Sequence, residues 1–285
     1  MTTIIDGKIT SKKIISNLKE KVRSLESQPG LAVVLIGSNP ASQIYVNLKM
    51  KACTEIGFYS EKIELKETAS EKEIFNILTI LNNDRRIHGI LLQFPLPKNL
   101  QYLEEKIINN INPVKDVDCF HPGNIGKLFT TKNSYEKLII PCTPKGIIRL
   151  LKEYKIEILG KKVIICGRSN LVGKPLSLLF LLEGATVTMS HSLTENLSLE
   201  TSTGDIVVAA IGKKHFFTEE YFKKGAVVVD VGINRVDKKL YGDVNFENVF
   251  SKVSAITPVP GGVGPMTIAM LMENALFVYK NQTLK

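Results

Sequence analysis

Residues 161–175, KKVIICGRSNLVGKP, constrain this chain more than any other stretch. Residues 163–166 form a short apolar run rich in β-branched side chains, which predicts a buried strand. Gly167 to Gly173 is a polar turn, and residues 174–182 have helical spacing with Pro175 in the first turn. Strand, glycine turn and helix in that order aim backbone N–H groups and a helix N-terminus at one point, where a phosphate binds. The spacing is G-x-S-x-x-x-G rather than G-x-G-x-x-G. By itself the turn fits a dinucleotide site and a plain strand-to-helix connection equally well.

The next strand shifts that balance. Residues 185–190, ATVTMS, run into His191-Ser192. A site for NAD carries Asp or Glu about 20 residues after the first glycine, to bind the ribose 2′-hydroxyl. No acid stands at this strand end, whereas Arg168 and Ser192 offer a cation and a hydroxyl for a 2′-phosphate. NADP is therefore the expected cofactor. The bland alternative is that Arg168 and Lys174 are solvated surface charge.

With 285 residues and 44% hydrophobic content, the chain has enough apolar surface for two α/β domains. No apolar run approaches the ~20 residues of a membrane span, and MTTIIDGKIT lacks a signal-peptide layout. No membrane association is expected. Cys53, Cys119, Cys142 and Cys166 form no C-x-x-C or Cys/His cluster, so buried thiols in a reducing cytoplasm are expected and no metal site. The net charge of +9 is scattered over pairs such as Lys12-Lys13, Lys213-Lys214 and Lys223-Lys224. Scattered charge suits anionic small molecules or plain solubility; a nucleic-acid face needs clustering, so no nucleic-acid partner is expected.

In chain order, residues 11–25 predict an amphipathic helix with Ile14, Ile15, Leu18, Val22 and Leu25 on one stripe. Residues 31–36 are a continuous apolar run, as in a parallel strand covered on both faces. Asn39-Pro40 starts a helix that Gly57 ends. Tyr45 and Lys49, four apart, share the edge of its buried stripe. A ligand site just beyond a strand's carboxyl end would look like this. Periodicity alone favours a lysine stem lying over a tyrosine ring.

Residues 58–65 predict another strand, and 70–81 a helix with Ser70 and Glu73 in capping-box positions. The strand GILL then runs straight into Gln93, whose amide would project into the same crevice as Lys49. In PVKDVDCFHP, Asp116 and Asp118 stand two apart in a loop, where lone aspartates are usually turn-formers. Residues 145–154 predict a helix, and DIVVAAI (205–211) and AVVVDV (226–231) two more buried strands. Residues 256–267, ITPVPGGVGPMT, set three glycines among three prolines ahead of a last helix opened by Pro265. So much restricted backbone favours close contact with a ligand over a bare turn.

YVNLKMKACTEIGF, GILLQFPLP, PVKDVDCFHPGNIG, PCTPKG, GRSNLVGKP, ATVTMSHSLT and TPVPGGVGPMT stand here in an order and spacing that resembles the bifunctional methylenetetrahydrofolate dehydrogenase/methenyltetrahydrofolate cyclohydrolase family. The likeness runs from about residue 4 to residue 280. It implies two α/β domains across a cleft, with the C-terminal one a Rossmann-like parallel sheet. Residues 1–120 would be the folate-binding catalytic domain and 121–285 the NADP-binding domain, the last helix (266–280) packing back on the first. Tyr45 would pack on the folate, and Lys49 would be the central catalytic residue. Gln93 would hydrogen-bond that lysine, and Asp118 would bind the pterin's amino edge. Gly167, Arg168, Ser169, Gly173 and Ser192 would hold the cofactor, with Gly232 and Ile233 at its nicotinamide end. Pro260, Gly261, Gly262, Val263 and Gly264 would border the folate. The resemblance also implies a cytoplasmic homodimer acting on tetrahydrofolate derivatives, polyglutamylated ones included. Cys119 departs from the pattern, because glycine is common at that place.

The implied chemistry needs few groups. Oxidation of 5,10-methylenetetrahydrofolate is pushed by the substrate's own nitrogen lone pairs, so positioning matters more than acid or base. Hydrolysis of the methenyl product requires proton transfer. A lysine at its ordinary pKa of ~10.4 is a poor base at neutral pH, and burial or a nearby cation is what brings a lysine into range. The alternatives are a dehydrogenase-only enzyme using NAD, against which Arg168 and Ser192 argue, and an inactive NADP-binding regulator. Intact Tyr45, Lys49, Gln93 and Asp118 argue against the latter.

Overall fold

The computed structural model describes residues 1–132, 134–237 and 239–283. They fall into two compact units, one of residues 13–131, 135–140 and 268–285, the other of residues 1–12, 132–134 and 141–267. No helix among the described residues is long and apolar enough to cross a membrane.

The first unit is built on three parallel strands in the order Tyr59–Leu65, Gly30–Ile36, Gly89–Leu92. The central strand GLAVVLI and the strand GILL are buried along their whole length, which is why both read as unbroken apolar runs. The outer strand YSEKIEL alternates and stays half-buried. Between the first two strands runs the helix Pro40–Ile56. Asn39 Oδ1 accepts from the Ala41 and Ser42 N–H groups at its start, and Gly57 closes it in the left-handed conformation. The helix Glu71–Asn83 begins as its capping box predicts, with Ser70 Oγ accepting from Glu73 N. The helix Pro122–Thr130 also belongs to this unit, as does most of the helix Val263–Thr283.

The second unit is a six-stranded parallel sheet in the order Thr3–Ile4, Ala255–Ile256, Val227–Asp230, Ile206–Ala209, Lys162–Cys166, Thr186–Ser190. The predicted strands at 163–166, 185–190, 205–211 and 226–231 are all present, within one or two residues at each end. Two were not predicted. Thr3–Ile4 pairs with Ala255–Ile256, so the first residues of the chain complete the sheet made by its last third. A two-residue strand has no period to detect.

A polar knot stands at the far, amino-terminal edge of the three-stranded sheet. His88, 8% exposed, accepts the Gly30 N–H through Nδ1 at 3.0 Å and packs edge-on against Tyr279. Lys115, also buried, donates to the Leu81 and Asp84 carbonyls. Burial, and then the Lys115 ammonium, lower the His88 pKa. The folded chain therefore binds fewer protons here than the unfolded one. Its contribution is complete above the unfolded value of ~6.5 and is lost as pH falls through the folded value. Melting temperatures of wild type should drop as pH falls below the ordinary histidine value of about 6.5, and His88→Asn, whose amide oxygen can replace Nδ1, should lack that step. Parallel curves for the two proteins would refute the assignment.

Candidate active site

The parallel sheet of the first unit sets the site, because neighbouring strands deliver their next residues at the same end. Gly30–Ile36 leads into the helix that carries Tyr45 and Lys49, and Gly89–Leu92 ends one residue before Gln93. The Gln93 N–H donates to the Val34 carbonyl, which holds it against the central strand. Its side chain is oriented without ambiguity. Gln93 Nε2 donates to the Phe94 carbonyl at 2.7 Å, leaving Oε1 to accept from Lys49 Nζ at 2.9 Å. Lys49 is only 8% exposed. A buried ammonium is costly unless it is hydrogen-bonded, and an amide oxygen orients it without locking it into an ion pair. Tyr45, one turn earlier, is half-buried, and burial raises the pKa of its phenol. The lysine thus sits in a formed polar contact instead of only snorkelling past a ring.

Residues two apart on an extended strand share a face, so the different settings of the two aspartates of DVD come from the turn in this segment, with Cys119 at φ +60°, and not from alternation. Asp116 is 3% exposed and turned into its own loop, accepting from the Phe120 and His121 N–H groups and from Asn124 Nδ2. Asp118 is half-buried. The segment lies beside the strand that ends in Gln93, through a parallel bridge between Ile90 and Asp116. The buried Asn274, from the last helix, donates to the Val117 and Ile140 carbonyls at 2.8 and 2.7 Å and so fixes the backbone just before Asp118. The sequence reading did not single out Asn274. A polar residue at a core position of an otherwise apolar helix was the available signal.

In the second unit, the turn after Lys162–Cys166 is packed tightly. Gly167 has φ +129°, and a Cβ on it would run into the Ala210 carbonyl; a Cβ on Gly173 would run into the Gly167 carbonyl. The helix Gly173–Leu182 thus begins directly on the strand end, the close approach that a pyrophosphate-binding turn requires. Ser169 Oγ accepts from Val172 and Gly173 N–H, so this serine shapes the turn from within. Arg168 and Ser192 are both exposed. The register pairs Cys166 with Ser190, so the two residues follow level points on neighbouring strands, each two positions on. Ser190 Oγ is fully buried at this strand end without a hydrogen-bond partner among the described residues. The glycine cradle, the level Arg168 and Ser192, and the absence of an acid at that strand end fit NADP, which Gly167, Arg168, Ser169, Gly173 and Ser192 would hold.

Gly232 and Ile233 follow the strand Val227–Asp230; Gly232 is buried and Ile233 is 45% exposed. Pro260, Gly261 and Gly262 lie in a loop tied to the start of the helix Gly7–Arg23 by a hydrogen bond from Lys8 N to the Gly261 carbonyl. Val263 and Gly264 already belong to the last helix, which starts at Val263, earlier than Pro265 suggests. Proline's missing N–H costs nothing within a first turn, so the helix tolerates it there. No group of three His, Cys, Asp or Glu suited to a metal occurs among the described residues.

The chain is similar to known proteins of one family. Residues 5–118 match the family described as tetrahydrofolate dehydrogenase/cyclohydrolase, catalytic domain, and residues 141–283 match its NAD(P)-binding domain. The bifunctional protein FolD of Sulfurihydrogenibium sp. is 50% identical, over 99% of each chain. The crystal structure of the bifunctional FolD methylenetetrahydrofolate dehydrogenase/cyclohydrolase from Campylobacter jejuni is 46% identical, with a TM-score of 0.94 over 99% of this chain and 100% of that one. The Trypanosoma brucei enzyme, solved with NADP and an inhibitor, is 35% identical, with a TM-score of 0.93 over 100% of this chain and 99% of that one.

Cys119 lies at the edge of this site with φ +60° and is fully buried, its thiol donating to the Ile139 carbonyl at 3.0 Å. A side chain in the left-handed region costs ~1–2 kcal/mol that glycine does not pay. Cys119→Ala keeps that cost and loses the thiol, whereas Cys119→Gly removes the cost. In urea unfolding the glycine variant should exceed the alanine variant in stability by about 1 kcal/mol; equal stabilities would show that the backbone carries no strain there.

Proposed function

Because this chain belongs to the tetrahydrofolate dehydrogenase/cyclohydrolase family, we propose that Lys49, Gln93, Tyr45 and Asp118 carry its folate chemistry. Arg168, Ser169, Ser192, Gly232 and Ile233, with the Gly167 and Gly173 turn, bind its cofactor. The enzyme oxidises 5,10-methylenetetrahydrofolate to 5,10-methenyltetrahydrofolate with NADP and hydrolyses that product to 10-formyltetrahydrofolate. The observation that carries the residue assignment is the buried Lys49 ammonium held by the Gln93 amide oxygen at 2.9 Å.

In the methylene substrate the one-carbon unit lies between two nitrogens, whose lone pairs expel a hydride and leave a resonance-stabilised amidinium. NADP, when bound, supplies the nicotinamide that accepts the hydride. For this step the chain binds and orients: Asp118 anchors the amino edge of the pterin, and Tyr45 packs on the ring system. Hydrolysis asks more of the side chains. Water adds to the amidinium carbon and gives up both its protons as the formyl carbonyl forms, one to solvent and one to the ring nitrogen that leaves. Lys49 is the residue that moves this proton, and Gln93 keeps Nζ aimed as the bond breaks.

We further propose that the enzyme works as a cytoplasmic homodimer on polyglutamylated folates. The strand Thr186–Ser190 is an edge of the six-stranded sheet, and such edges are commonly covered. Four buried free cysteines suit a reducing compartment. The net charge of +9 favours an anionic tail.

Following both steps with methylenetetrahydrofolate and either NADP or NAD tests the reading. Lys49→Met should lose cyclohydrolase activity about 10²-fold or more while dehydrogenase activity falls far less. Equal loss of both, or retained cyclohydrolase, would remove Lys49 from the proton-transfer role, and preference for NAD would overturn the 2′-phosphate assignment. The KM for polyglutamylated substrate should rise with salt, with the protein eluting as a dimer; a salt-insensitive KM or a monomer would count against those two points.

A further inference from the structure

Asp230 and Asp243 touch none of the groups assigned to folate, yet they are 3% and 0% exposed. Asp243 Oδ2 accepts from the Ile211 and Gly212 N–H groups at 2.7 and 2.9 Å. Its Oδ1 accepts from Lys213 N at 2.8 Å and from Asn234 Nδ2 at 2.9 Å. Asp230 Oδ1 accepts from Gly232 and Asp243 N–H, at 2.9 and 3.0 Å, and its Oδ2 from Val244 N at 2.9 Å. From the next strand end, Thr257 Oγ1 accepts the Asp230 N–H.

These bonds converge from separate loops. Residues 211–213 follow the strand Ile206–Ala209, and Gly232 follows the neighbouring strand Val227–Asp230. Asn234 opens the two-stranded hairpin Asn234–Val236 and Lys239–Tyr241. The packing leaves no slack: a Cβ on Gly232 would strike the Asp243 carboxylate, and one on Gly242 would strike that of Asp230. Burial pushes the Asp230 pKa up to about 7 even against its three N–H donors, so the node is well sealed from water.

We propose that Asp243, seated on Asp230, is a positioning residue for the nicotinamide cofactor: it locks the 211–213 loop to Gly232–Ile233 and so sets cofactor affinity without touching the cofactor. The proposal rests on the assignment of Gly232 and Ile233 to the nicotinamide end. It requires a carboxylate specifically. Both oxygens accept two N–H groups, and an asparagine presents one acceptor oxygen and one donor nitrogen, so either orientation loses two of the four bonds.

The test is Asp243→Asn, read by NADPH fluorescence titration, by NADP KM and kcat, and by cyclohydrolase activity on methenyltetrahydrofolate with no cofactor added. NADPH binding should weaken about tenfold or more and the NADP KM should rise in step, with cyclohydrolase activity within about twofold of wild type. Binding within twofold of wild type would overturn the proposal. So would a parallel loss of cyclohydrolase, which would mark a purely structural role. Should Asp243→Asn not fold, Asn234→Ala deletes one of the four bonds and should weaken NADPH binding about threefold; unchanged binding there would equally overturn it. Wild type failing to bind NADPH would instead sink the cofactor assignment beneath the proposal.

Discussion

Parallel strand pairing is the constraint on which the other features depend. In a parallel sheet every strand ends at the same side, so the residues that follow strand ends are gathered whatever their distance in sequence. Lys49 and Gln93 are 44 residues apart and meet because Gly30–Ile36 and Gly89–Leu92 are parallel neighbours. The same rule in the six-stranded sheet brings together the Gly167 turn, Ser192, the 211–213 loop and Gly232. Each is a loop residue placed by a rigid ladder behind it, and the ladders themselves are made of apolar side chains with no chemistry of their own.

The partner of the buried lysine suits the proton-transfer role proposed for it. A carboxylate would hold the ammonium firmly by charge and oppose release of its proton. An amide oxygen supplies direction with less electrostatic grip. Gln93 can do this because its own amide is pinned by the Phe94 carbonyl, so it cannot flip to present a donor to the ammonium. Carboxylates stand instead where loops are held firmly, as with Asp116 inside its turn and Asp230 and Asp243 between the 211–213 loop and Gly232.

Much of this was legible in the residues, for identifiable reasons. GLAVVLI, GILL and VIIC read as buried strands because both faces are covered, and Asn39-Pro40 and Ser70 with Glu73 read as helix starts because their caps are local. What escaped is non-local or too short. Thr3–Ile4 and Ala255–Ile256 make sense only beside each other. The helix Pro122–Thr130, PGNIGKLFT, carries two glycines that mask its periodicity. Asp230 and Asp243 are separated by a hairpin and meet only when it folds. Periodicity places Tyr45 and Lys49 on one edge but cannot show what the lysine touches; the bond from Lys49 to Gln93 joins residues 44 apart and is visible only in the fold. Ser169 reads as a residue of the glycine turn, but the bracing of Val172 and Gly173 by its hydroxyl is not legible in the sequence.

The pairing of Thr3–Ile4 with Ala255–Ile256 also bears on how the chain is made. A ribosome adding about 5–20 residues per second needs roughly ten to fifty seconds to travel from one strand to the other. Throughout that interval the opening segment has no ladder to join. It is made long before its partner, so the six-stranded sheet closes only after residue 256 has been added. A nascent chain stalled before residue 255 would leave that edge bare and open to chaperones.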